Sequence, residues 1–121
     1  MRTLSLPLIV ASIGVLAPVP AAAQSGDRAV CFAGNTNPDA AIAACTRLVT
    51  RPNTSRRERA ILLHARGIAW VYKGSEQQAI RDYTEAHQID PSFAPAMYER
   101  GKSHARLRDQ QSAIRDYSIA I

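Results

Sequence analysis

The feature that most constrains this 121-residue chain is an internal repeat with a period of 34 residues. The segment 79–86 recurs as 113–120 with six of eight residues identical. Over the longer alignment of residues 60–87 with residues 94–121, 10 of 28 pairs are identical. Self-similarity at such a period is the sequence signature of a solenoid, in which stacked copies of one small unit share a continuous core.

Hydrophobic periodicity indicates that the repeated unit is helical. From Pro38 onward, apolar residues recur at steps of three and four, and no segment has the alternation of a convincing strand. Residues that cap helices predict where each helix starts. These residues are Asn37 before Pro38, Ser55, Ser75, Asp90 before Pro91, and Asp109. Gly74 is predicted to end the helix that starts at Ser55. About five helices are therefore predicted after residue 23. Their short connections favour antiparallel hairpins.

Small and aromatic residues occupy matching positions in the two copies. They are Leu63, Gly67, Trp70, Ala79, Tyr83, Ala86 and Pro91 in the first, and Met97, Gly101, Ala113, Tyr117 and Ala120 in the second. This pattern resembles a tetratricopeptide repeat, a 34-residue helix-turn-helix unit with W-x2-L-G-x2-Y, A-x3-F and P positions. Two departures are His104, which stands where Trp70 stands, and the arginines Arg66 and Arg100, whose position is often leucine.

The resemblance implies an all-α fold of antiparallel helical hairpins stacked as a short α-solenoid. Within it, glycines and alanines would let helices approach closely, and the aromatic rings would fill the gaps. Residues 55–91 form the first predicted repeat, residues 92–121 the second, incomplete one, and residues 24–54 a degenerate N-terminal cap or half repeat. The recurring acids Asp82 and Asp116 are predicted to pair with nearby arginines.

Residues 1–23 have the pattern of a secretory signal peptide. Arg2 precedes an uncharged apolar run, and three alanines at 21–23 supply a cleavage site with small side chains. A membrane anchor is the alternative, but prolines 7, 18 and 20 interrupt the run, and a span needs about 20 continuous apolar residues. We therefore expect export to the periplasm or the medium of a bacterium.

Cys31 and Cys45 are the only cysteines, and export would place them where disulfides persist. An even count leaves one intramolecular pairing, which favours a structural disulfide. Free buried thiols remain an alternative; a redox pair or a zinc site is less favoured, because neither a C-x-x-C motif nor a nearby histidine is present. Segment 24–54 also resembles the cysteine-containing start of exported bacterial tetratricopeptide proteins, which implies that the pair would staple an N-terminal cap.

The resemblance implies a non-catalytic scaffold that binds a peptide or protein on its concave face. The positions expected to face inward are Ile61, His64, Ile68, Tyr72, Tyr98, Lys102 and Arg106. Aromatic anchors would supply contact area and cations would fix polarity. Alternatively, His64 and Ile68 only pack the solenoid. The lysine, asparagine and arginine set with which some relatives clamp a C-terminal carboxylate is not matched.

The apolar end of the last predicted helix supports a second function. Residues 113–121 carry an apolar face with no following helix in the sequence to cover it, and such patches often mark interfaces. The alternative prediction is an assembly or regulatory subunit that docks on a partner or self-associates through this helix.

Other chemistry finds no support in the residues. The three histidines lack metal-ligand spacing, and no nucleophile elbow, phosphate loop or dinucleotide fingerprint occurs, so no enzyme activity or cofactor is predicted. The net charge is +5, and five arginines cluster between residues 51 and 66. We favour a solvated face over an anionic partner; export argues against nucleic acid, and membrane contact is expected only during export.

Overall fold

The computed structural model describes Thr3, Ser5 and residues 21–121, so most of the predicted leader lies outside the described residues. The described part contains six helices and no strand: α1 (Ala21–Cys31), α2 (Pro38–Val49), α3 (Arg56–Lys73), α4 (Glu76–Ile89), α5 (Ala94–Arg106) and α6 (Gln110–Ala120). Each helix packs on the next, and contacts also join α3 to α5 and α1 to α3. The predicted all-α fold of stacked helical hairpins is confirmed.

Helix α1 was not among the five helices predicted from the sequence. It begins at Ala21, inside the predicted leader, and has no capping signal in the sequence. Tertiary contacts hold it: Asp27 forms an ion pair with Arg47 at 2.8 Å, and Arg28 pairs with Glu58. A short helix of this kind depends on packing more than on its own propensity. Residues 21–49 therefore form a helical hairpin, α1–α2, most of which lies in the predicted cap segment 24–54.

The two cysteines close this first hairpin. Cys31 and Cys45 form a disulfide with their Cα atoms 4.8 Å apart, and both side chains are fully buried. They pack with Ala44, Leu48 and Leu62 in a core cluster between the hairpin and α3. The predicted disulfide is thus present, and it ties the end of α1 to the middle of α2.

Capping explains most of the remaining helix boundaries. Asn37, Ser55 and Asp109 each accept a hydrogen bond from the backbone N–H three residues on, at 3.1–3.2 Å, as predicted. Helix α4 begins directly after Ser75, as predicted, but the capping box predicted there is wrong because no side-chain cap bond forms. The N–H of Ser75 instead donates to the carbonyl of Trp70, so this residue completes the left-handed end of α3.

The predicted start of α5 at Asp90 is also wrong. Asp90 ends α4, and its carboxylate accepts hydrogen bonds from the N–H and the hydroxyl of Ser92, at 3.1 and 2.5 Å. Helix α5 begins only at Ala94, with Phe93 at its N-cap position. Because Phe93 is buried in the core, its packing sets where the chain enters α5.

The predicted packing residues divide into three groups by exposure. Buried are Leu63, Gly67, Ala79, Tyr83, Ala86, Met97, Gly101 and Ala113; half-buried are Trp70, Tyr117 and Ala120; Pro91 is exposed. The glycines matter because a tyrosine ring packs on each. A Cβ atom at Gly67 would lie 2.4 Å from Cε1 of Tyr83, and one at Gly101 would lie 2.7 Å from Cε1 of Tyr117.

We expect Gly67→Ala to destabilise the protein. The Tyr83 ring is fully buried and has no room to move away from the added methyl group. Overpacking costs about 1–3 kcal/mol, which outweighs the gain of about 1 kcal/mol in helix propensity. Gly26→Ala is the control, because a Cβ atom there would meet nothing within 4 Å. Urea unfolding should show a lower free energy of unfolding for Gly67→Ala and a higher one for Gly26→Ala. A rise in both variants would contradict this packing.

Candidate functional site

A groove of about 300 Å³ runs between α3 and α5; we call it the α3–α5 groove. Its lining residues are Ile68, Val71, Tyr72, Tyr83, Glu99, Lys102 and Arg106. Four of the seven residues predicted for the concave surface are among them: Ile68, Tyr72, Lys102 and Arg106. The one-turn spacing within each helix and the 34-residue period between helices place these side chains on one surface.

The other three predicted residues lie elsewhere. Ile61 is half-buried against the main core cluster. The ring of His64 packs against Tyr83 and Phe93, with centroids 5.9 and 5.4 Å apart. Tyr98 is 53% exposed and lines a different cavity, described below. For Ile61 and His64 the structure therefore places the side chain in packing between helices.

Burial sets the protonation behaviour of His64. It lowers the pKa of the imidazole, and the nearby charge of Glu99 only partly opposes this effect. Its Nε2 atom has no hydrogen-bond partner among the described residues. The neutral ring is therefore the form that fits between Tyr83 and Phe93.

This burial predicts an acid-sensitive contribution to stability. Because the pKa of His64 is lower in the folded than in the unfolded chain, the unfolded state binds more protons below pH 6.5. The free energy of unfolding should then fall as the pH drops through 6.5. It should level off below the pKa that His64 has in the folded chain. The His64→Phe variant should lose this part of the pH dependence. Urea unfolding at several pH values checks it; equal slopes in both proteins would contradict the prediction.

Each cation of the α3–α5 groove already has a carboxylate partner. Lys102 Nζ lies 3.2 Å from Oε2 of Glu99, and Arg106 Nε lies 2.6 Å from Oε1 of Glu76. Partial burial alone would raise the pKa of Glu76, but hydrogen bonds from Arg106 and Ser103 outweigh it and hold that pKa low. The groove thus presents apolar and aromatic surface with balanced charge.

The sequence interpretation missed the acids Glu76 and Glu99. Glu99 stands three residues before Lys102 on the same helix, a spacing that brings side chains together and could have signalled the pair. Glu76 is 30 residues away from Arg106, and only the packing of α4 on α5 brings the two together.

No protein-family model matches the sequence, and a comparison with curated proteins finds no match. Among solved structures, the fold is similar to the second TPR of Spaghetti (RPAP3) bound to the HSP90 peptide SRMEEVD. The TM-score is 0.62 at 20% sequence identity, and the match covers 82% of this chain and 95% of that one. The fold is that of a tetratricopeptide repeat domain.

Within this tetratricopeptide fold, one ion pair recurs at the 34-residue period. Arg66 makes two hydrogen bonds of 2.8 Å to the carboxylate of Asp82, and Arg100 makes bonds of 2.9 and 2.6 Å to that of Asp116. These bonds confirm the predicted pairing of the two aspartates with arginines. Both carboxylates are also buried. Each pair joins the two helices of one hairpin.

The same arginines also reach the preceding hairpin. Nη1 of Arg66 donates to the hydroxyl of Thr46 on α2 at 3.1 Å, and Nη1 of Arg100 donates to that of Thr84 on α4 at 3.0 Å. Thus the departure from leucine at these two positions gives the solenoid a repeated polar contact between neighbouring hairpins.

A second, larger cavity lies at the other side of α5, and we call it the end groove. It has a volume of about 580 Å³, and its lining residues are Ala94, Pro95, Tyr98, Tyr117, Ala120 and Ile121. Ile121 is fully exposed, and Ile114 and Ile119 of α6 are exposed too. The side chains that line the end groove are small, apolar or aromatic.

The five clustered arginines do not form one free cationic surface. Arg51 pairs with Asp27, Arg57 with Asp90, and Arg66 with Asp82. Within residues 21–121, no three His, Cys, Asp or Glu side chains are grouped as a metal site would require. None of the helices described is long and apolar enough to span a membrane.

Proposed function

We propose that this chain is a non-catalytic interaction module that binds a peptide or protein segment in the α3–α5 groove. The observation that carries the proposal is the groove itself, where residues of two successive repeats line one surface. Tyr72 is 60% exposed there and offers a rigid aromatic contact.

The charges of the groove favour a ligand with little net charge. Lys102 and Arg106 are already neutralised by Glu99 and Glu76, so an acidic ligand would have to compete with these carboxylates. The ligand class proposed is therefore an apolar or aromatic segment rather than an acidic tail like SRMEEVD.

Phage display with random 12-residue peptides tests this function. Peptides selected on the wild-type chain should bind the Tyr72→Ala variant about tenfold more weakly, as expected for a central aromatic contact. Tyr98→Ala is the matched control, because Tyr98 is similarly exposed but lies outside the groove. The SRMEEVD peptide should bind more weakly than the selected peptides. Failure to select a binder, or loss of binding only with Tyr98→Ala, would contradict the proposed site.

We place this module outside the cytoplasm. The leader-like residues 1–23 and the buried disulfide support export, since disulfides persist in oxidising compartments. Intact mass of the protein recovered from a bacterial periplasm or medium should show loss of residues 1–23. An intact N-terminus, with both thiols alkylated in the unfolded chain without reductant, would place the protein inside the cell.

A further inference from the structure

The two walls of the α3–α5 groove differ in chemistry. The α3 wall is apolar and aromatic, because Ile68, Val71 and Tyr72 line it, whereas the α5 wall carries Lys102 and Arg106. The two cations stand four positions apart on one helix, so the helical rise separates them by about 6 Å along the axis. The groove therefore offers apolar surface on one side and two regularly spaced hydrogen-bond donors on the other.

Both cations keep unused hydrogen-bond donors. Arg106 donates from Nε to Glu76 at 2.6 Å, and from Nη2 to Glu76 and Ser103 at 3.3 and 3.1 Å. Its Nη1 atom makes no hydrogen bond to the described residues. Lys102 donates, among those residues, only to the carboxylate of Glu99, at 3.3 Å, although an ammonium group has three N–H donors. Each cation can therefore donate at least one further hydrogen bond to a ligand.

The carboxylates of the groove are less exposed than the cations with which they pair. The side chains of Glu76 and Glu99 are 17% and 20% exposed, against 40% and 41% for Arg106 and Lys102. The fully buried Ser103 also accepts a hydrogen bond from Arg106, which helps to fix the guanidinium. A carboxylate placed beside the cations would meet two negative charges that repel it, whereas a neutral acceptor would meet no such repulsion.

We propose that Glu76 and Glu99 set the specificity of the α3–α5 groove, so that Lys102 and Arg106 bind main-chain carbonyl groups of an extended, uncharged protein segment. In an extended chain, the carbonyl groups of every second residue point to the same side about 6.6 Å apart, close to the spacing of the two cations. Alternate side chains then point into the groove, where the α3 wall favours apolar or aromatic groups. This inference rests on the proposed function, because it assigns the ligand of the same groove.

Three peptides, acetylated and amidated at their ends, test this ligand on the ¹⁵N-labelled full chain. The peptide SLQFQLS alternates apolar and polar residues without charge, SLEFELS replaces both glutamines by glutamates, and SLLFQQS keeps the first composition without the alternation. The first should cause saturable shifts in the backbone amides of residues 68–72 and 99–106. The other two should bind at least about threefold more weakly, because one brings acids to the groove and the other lacks the alternating side chains.

The variant Glu76→Gln/Glu99→Gln separates the role of the two carboxylates from the shape of the groove. It leaves both cations uncompensated, so SLEFELS should bind it at least about tenfold more tightly than it binds the wild type, while the affinity for SLQFQLS changes less than about threefold. Asp39→Asn/Glu85→Gln is the matched control, because it changes the net charge equally at exposed positions outside the groove. The control should leave both affinities within about twofold.

The variant Arg106→Met/Glu76→Gln tests the donors, because it removes the guanidinium together with the charge of its partner. It should weaken binding of SLQFQLS about fivefold, as expected for one lost hydrogen bond. The two double variants are independent tests, so a folding defect in one leaves the other decisive.

Three results would overturn the inference and leave the proposed function standing. They are equal binding of SLQFQLS and SLEFELS to the wild type, an unchanged preference in Glu76→Gln/Glu99→Gln, and phage-selected peptides that bind through Tyr72 while SLQFQLS does not. If neither these peptides nor any selected peptide binds, the inference and the proposed function both fail.

Discussion

Replacing Asp82 by alanine is expected to lower the free energy of unfolding by about 3–5 kcal/mol. The substitution leaves the guanidinium of Arg66, whose side chain is only 19% exposed, without the carboxylate that accepts its two hydrogen bonds. An uncompensated charge of this kind is costly because the surrounding helices α3 and α4 limit its access to water. Urea unfolding followed by circular dichroism measures the change.

Two further variants separate the ion pair from surface effects. Asp39→Ala removes an exposed pair with Lys73 and should cost less than about 1 kcal/mol. The double variant Arg66→Met/Asp82→Leu removes both charges of the buried pair, and should be much closer to wild type than Asp82→Ala alone. A loss in Asp82→Ala no larger than in Asp39→Ala would show that the buried pair does not support the hairpin.

Removing the disulfide is expected to cost about 3 kcal/mol. The bond joins residues separated by 14 positions, and a loop of this length restricts the unfolded chain by about that amount. It also anchors the end of α1, which the ion pairs of Asp27 and Arg28 hold at other points. The Cys31→Ala/Cys45→Ala variant should therefore unfold at a clearly lower urea concentration than the oxidised wild type.

Reduction gives an independent measurement of the same effect. Dithiothreitol should lower the unfolding midpoint of the wild-type chain toward that of the double-alanine variant, and should leave the variant unchanged. Because the thiols are fully buried, alkylation should become complete only after reduction together with unfolding. A wild-type midpoint that does not respond to reductant would contradict the stabilising role.

Several parts of the fold followed directly from local signals. The 34-residue period predicted the hairpins α3–α4 and α5–α6, and four helix starts were predicted correctly, after Asn37, Ser55, Ser75 and Asp109. Predictions failed where tertiary contacts outweighed a local pattern. Phe93 rather than Asp90 precedes α5, because burial of the Phe93 ring sets where the chain enters that helix.

Local sequence patterns predicted only part of the candidate site. Helical spacing placed Ile68, Tyr72, Lys102 and Arg106 on one surface, and the α3–α5 groove contains all four. Helical spacing could not distinguish these four residues from His64. A side chain at an inward-facing position either lines a groove or packs under the neighbouring helix. That difference depends on the large side chains of other helices, here Tyr83 and Phe93.

The sequence by itself determined the repeat, the helical hairpins and the partnership of each repeated arginine with an aspartate, because these depend on residues that recur at fixed spacings. Only the tertiary structure decided the presence of α1, the pairing of Arg106 with Glu76 and the packing of His64 between Tyr83 and Phe93. Those features arise between segments about 15 to 35 residues apart, where the distance between two side chains is set by helix packing and not by position along the chain.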